Sequence, residues 1–104
     1  MTVRIQAADF DVGAEIAALR RGNPRIGAVA SFIGLVRDTN EGGTVAEMSL
    51  EHYPGMTETA LAAIEADACA RWPLQASLIV HRYGLQAPGE QIMMVAAAVP
   101  EICW

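Results

Sequence analysis

Residues 26–36, IGAVASFIGLV, contain no charged side chain and are interrupted only by a serine and two glycines. A strand built from them has no polar face to turn toward water, so both of its faces must be covered. It is expected to be central in a sheet or to lie at an interface. Residues 91–99, QIMMVAAAV, make a second apolar strand, which Pro100 stops. In a chain of 104 residues two such strands imply one shared core and one domain.

The other elements follow from periodicity. Residues 2–6 alternate as a short strand, and residues 11–21 carry Val12, Ile16 and Leu19 at helical spacing until Asn23-Pro24 breaks the pattern. Residues 38–43, DTNEGG, form a turn. Residues 44–52 alternate as a strand with Ala46, Met48, Leu50 and His52 on one face. Tyr53-Pro54-Gly55 ends that strand and opens a helix expected to bury Leu61, Ile64, Ala68 and Trp72, with Glu58, Asp67 and Arg71 on or near its wet side. Pro73 prevents its continuation. Residues 76–83 read as a strand and residues 87–90, APGE, as a turn. The order βαββαββ, with short connections, predicts an α+β domain of two helices on a mostly antiparallel sheet.

Composition narrows the function classes. Hydrophobic residues make up 53% of the chain and charged residues 18%, the balance of a folded protein rather than a disordered one. The net charge is −5, and the seven basic residues, all arginine, are scattered from Arg4 to Arg82. Nucleic acid, which needs clustered cations, is not expected as a partner. The absence of lysine excludes Schiff-base chemistry from this chain's own side chains. No apolar run approaches the roughly 20 residues of a membrane helix, and the N-terminus lacks the apolar core of a secretory signal, so a cytoplasmic location is expected. Cys69 and Cys103 lack metal-ligand spacing. Cys69 reads as a small apolar helix residue. Cys103, with no basic neighbour to lower its pKa, is a weak candidate for a reactive thiol.

Chemistry concentrates at the end of the long apolar strand. Arg37 follows it directly, where a rigid element can hold a planar, permanently charged guanidinium toward a carboxylate or phosphate. The plainer alternative is a surface arginine paired with Asp38 or Glu41. Gly34 either admits something close to the backbone or marks a bulge, and Phe32 shares its face. His52, on an apolar strand face, is either a ligand contact or a satisfied core histidine. His81 and Arg82 form a second candidate anion-binding pair, with a structural role as the alternative.

Five segments together carry a resemblance: GAVASFIGLVR (27–37), LEHYPGMT (50–57), RWP (71–73), HRYG (81–84) and PGE (88–90). They are similar to the catalytic, large subunit of the molybdopterin synthase family across most of residues 1–98, and LEHYPGMT is the most specific of them. The resemblance implies an α/β hammerhead-type fold and a homodimer with a small ubiquitin-like sulfur-carrier subunit at each outer end. It also implies transfer of two sulfurs from the carrier's C-terminal thiocarboxylate to cyclic pyranopterin monophosphate, with neither metal nor cofactor. Carried over to this sequence, it makes Arg37 the catalytic residue and Phe32, Arg37 and His52 the substrate-binding set, His52 without a defined step.

The sequence departs from that family after residue 98. Relatives continue into a segment that supplies two active-site lysines and an arginine, whereas this chain reads PEICW and contains no lysine. A truncated or frame-altered member is therefore expected, with apolar sheet surface left for another chain to cover. The rival functional reading is a non-catalytic dimeric module that only binds the small carrier subunit. A ferredoxin-like ligand-sensing domain would fit the element order but leaves LEHYPGMT unexplained.

Overall fold

A computed structural model describes residues 2–40, 43–44, 48–50 and 56–100. A four-stranded sheet is built from β1 (Thr2–Gln6), β2 (Ala28–Leu35), β6 (Ala76–Arg82) and β8 (Gln91–Val99) in the order β1-β6-β8-β2. β1 runs parallel to β6, while β6–β8 and β8–β2 are antiparallel. Two small pairs complete the strands: β3 (Thr39–Asn40) with β4 (Gly43–Thr44), and β5 (Met48–Leu50) with β7 (Gly84–Gln86). The helices are α1 (Val12–Arg20) and α2 (Met56–Arg71).

α1 starts where the chemistry of its first turn dictates. Asp11 is the N-cap, and its Oδ1 accepts the Ala14 N–H at 3.0 Å, satisfying a donor that the helix leaves without a partner. Glu15 in the first turn and Arg20 in the last complement the helix dipole. The inward stripe of Val12, Ile16 and Leu19 packs against Phe10, Leu78, Val80, Met94 and Ala96, which form the core on one face of the sheet. Register places Leu78 opposite Ala96 and Val80 opposite Met94, so alternate residues of β6 and β8 supply this layer. Met94 and Val80 are fully buried, each contributing about 1.5–3 kcal/mol through apolar burial.

The opposite face is covered less completely. α2 turns Leu61, Glu65 and Ala68 partly inward, and Ser77 Oγ donates to Glu65 Oε2 at 2.6 Å. Ile64 and Trp72, expected inside, are instead exposed (61% and 57%). The glutamate bound to Ser77 fixes the helix rotation and leaves Ile64 at the rim of a groove of about 120 Å³, which Ala68, Leu74, Ile79, Val95 and Ala97 also line. Asp67 and Arg71 are on the wet side as expected, paired at 3.0 Å.

β2 is the strand expected to be central or at an interface. It is an edge strand of the sheet, paired on one side with β8, and Phe32 and Leu35 are 64% and 52% exposed. Among the described residues its outer edge is unpaired and its apolar face uncovered, which fits the second of the two expected positions, an interface. The expected turn at 38–43 includes the short β3–β4 pairing, and β7 was not foreseen. By contrast, β8 occupies 91–99 as its pattern requires, and the turn before it is closed by Glu90 N–H to Ala87 O at 3.0 Å, with Gly89 at φ +89°.

Candidate active site

Arg37 follows β2 after one intervening residue, Val36, which is buried and held from both sides. The Val36 N–H donates to Glu90 O at 3.0 Å, and Val36 O accepts the Gly89 N–H at 2.9 Å. The backbone is thus clamped directly before an exposed guanidinium. Among the described residues no carboxylate lies within ion-pair distance of Arg37, so the expected alternative of pairing with Asp38 does not hold; Glu41 lies outside the described residues. An exposed arginine on a fixed backbone, unpaired with any described carboxylate, is suited to an external oxyanion.

Phe32 stands in one cross-strand row with Val95 and Ile79, on the face of the sheet away from Met94. Gly34 lies two residues on, opposite Met93, and the pairing register shifts between Gly34 and Leu35. A Cβ at Gly34 would come within 3.2 Å of Met93 Cγ, so the close approach expected there is made by the methionine of the neighbouring strand. Phe32 and Arg37 therefore belong to the same exposed strand and its end, five residues apart. His52 lies outside the described residues.

The proposed His81–Arg82 anion pair is not formed. Strand alternation sends the two side chains to opposite faces. Arg82 shares a face with Leu78 and Val80, is only 6% exposed, and spends its donors internally: Nε and Nη2 on Ala7 O (3.1 and 3.0 Å) and Nη1 on Gln91 O (2.8 Å). Asp9 Oδ1 and Glu90 Oε1 each lie 3.8 Å from Nη1. His81 is half-buried, and its Nδ1 donates to Arg82 O at 2.8 Å, which in the neutral ring leaves Nε2 as the acceptor. The structural role, expected as the alternative to anion binding, is the one Arg82 takes. The signal was present, since residues 78, 80 and 82 are one alternation series whose first two members are core residues.

Asp9 closes the cluster. Its Oδ1 accepts from Gln91 Nε2 at 2.8 Å and from the Phe10 N–H at 2.9 Å. These two bonds, with the charge of Arg82, hold its carboxyl below the ordinary value. A lowered folded value means that the carboxylate's contribution to stability is complete above the unfolded pKa, near 4, and is lost as pH falls through the folded value. Thermal melts between about pH 4 and pH 2 should therefore fall more steeply for the parent than for Asp9→Asn. Parallel curves would show that Asp9 does not couple folding to protonation.

Cys69 is half-buried on α2, and Cys103 lies outside the described residues. Among the described residues no three His, Cys, Asp or Glu side chains gather as a metal site, and no helix is long and apolar enough to cross a membrane.

Comparison with known proteins gives the family and the fold. Residues 5–101 match the family described as MoaE protein. The chain is 63% identical over 97 residues to a molybdopterin synthase catalytic subunit of Ralstonia nicotianae, covering 93% of this chain and 55% of that relative. A solved structure, the molybdopterin biosynthesis MoaE protein from Burkholderia ambifaria, superposes with a TM-score of 0.87 at 55% identity, over 96% of this chain and 65% of that one. Molybdopterin synthase from Staphylococcus aureus superposes with a TM-score of 0.84 at 26% identity, over 95% and 71% of the two chains. The chain thus spans between about half and two thirds of the length of the curated relatives it matches.

Proposed function

The chain belongs to the MoaE protein family, and from that premise we propose that it acts in molybdenum cofactor biosynthesis as a molybdopterin synthase catalytic subunit. The reaction is transfer of sulfur from the thiocarboxylate of a small ubiquitin-like carrier subunit to cyclic pyranopterin monophosphate, in the cytoplasm. Arg37 carries this reading, because its exposed guanidinium follows a backbone clamped at buried Val36 and is unpaired with any described carboxylate. Its role is to receive negative charge, either the substrate phosphate or the incoming thiocarboxylate. Phe32 forms an apolar wall on the same strand, and His52 belongs to the same substrate-binding set.

The exposed apolar edge at β2 supports self-association as a homodimer, since among the described residues its outer strand groups, beside the exposed Phe32 and Leu35, are unpaired and form a template for another chain. The second reading is that the chain docks the carrier subunit without transferring sulfur. Incubation with thiocarboxylated carrier and cyclic pyranopterin monophosphate separates the two. Dithiolene product supports the enzyme. A stable complex without product supports the docking module, and neither product nor complex overturns both.

A further inference from the structure

We infer that Arg82 is a positioning residue for Arg37, acting through the turn at residues 87–91. It rests, for its functional consequence, on the role of Arg37 proposed above.

The connection consists of specific bonds. The buried Arg82 guanidinium holds Gln91 O with Nη1 and Ala7 O with Nε and Nη2. Gln91 is the first residue of β8, and its own side chain reaches back to Phe10 O (2.7 Å) and Asp9 Oδ1. The N-terminal loop and the start of β8 are therefore tied at one point. The residues before Gln91 are fixed in turn: the Ala87 N–H donates to Glu90 Oε2 at 2.5 Å, while Glu90 Oε1 faces Arg82 at 3.8 Å. Gly89 and Glu90 then provide the donor and acceptor that bracket Val36.

The guanidinium thus lies two bonded steps from the backbone that presents Arg37. Replacement by lysine keeps the charge but not the planar fork that serves both carbonyls. Replacement by glutamine removes the charge and leaves Asp9 and Glu90 facing each other without a cation between them.

The test uses Arg82→Lys and Arg82→Gln, each alone and with Arg37→Ala, and two measurements. Amide hydrogen exchange should show protection of Val36 and Gly89 falling by about tenfold or more, relative to residues 30–33 of the same strand. Affinity for cyclic pyranopterin monophosphate should fall about tenfold, with no further loss when Arg37 is already alanine. Arg82→Lys, the milder change, supplies the answer if the glutamine variant does not fold.

Unchanged relative protection at Val36 and Gly89 in a folded variant overturns the inference, as does an equal loss of affinity with and without Arg37. If Arg37→Ala alone leaves affinity unchanged, the role proposed for Arg37 falls. The exchange measurement still decides whether Arg82 organises this backbone.

Discussion

Replacing Arg37 with alanine is expected to weaken binding of cyclic pyranopterin monophosphate by about a hundredfold and to lower sulfur transfer at least as far. A charge-assisted contact to an oxyanion contributes about 1.5–3 kcal/mol, and leaving a partner charge unmatched at a partly desolvated site adds to the loss. Folding should be spared, because the side chain is exposed and makes no ion pair with the described carboxylates. Titration calorimetry and a thermal melt on the same preparation check both halves. Arg37→Lys should recover only part of the affinity, since an ammonium supplies the charge without the two-pronged geometry. An alanine variant that binds like the parent would remove Arg37 from the site.

The largest effect on stability is expected at Met94. It is fully buried, lies opposite both Val80 and Ile33, and belongs to the cluster with Phe10, Leu78 and Ala96 that receives α1. Met94→Ala removes the apolar contacts and leaves a cavity between a sheet and a helix that can close only partly. The expected cost is about 2–5 kcal/mol, or a fall in melting temperature of roughly 10 °C or more for a domain of this size. Denaturant unfolding should show a lower midpoint with an unchanged slope. A midpoint near the parent's would mean that α1 can settle onto the smaller side chain.

Where the sequence reading worked, the local pattern and the tertiary environment ask for the same thing. α1 forms where Val12, Ile16 and Leu19 recur at helical spacing, and residues 91–99 are a strand because Pro-Gly precedes them and proline follows. α2 shows the opposite case. Its alanine-rich sequence gives a weak stripe, so one polar contact, Glu65 with Ser77, is enough to choose the rotation and leave Ile64 outside.

β2 was legible only as an alternative between two positions. Its composition reports that its faces need cover, which is true, but composition does not say which chain provides it. Of the candidate site, Arg37 and Phe32 were legible as types of residue at a strand and its end. The inward commitment of Arg82 was legible in its alternation with the core residues Leu78 and Val80, but its particular partners were not. They are backbone carbonyls, one of them 75 residues away, and these leave no mark in a sequence pattern.

The parallel pairing of β1 with β6 also sets an order of events on the ribosome. Thr2 finds its place beside Leu78, and Gln6 beside Arg82, so the segment synthesised first waits for most of the chain to emerge before it can join the sheet. Contacts so distant along the chain are slow to form. During that delay the earliest hydrophobic stretches remain accessible to chaperones and to neighbouring nascent chains.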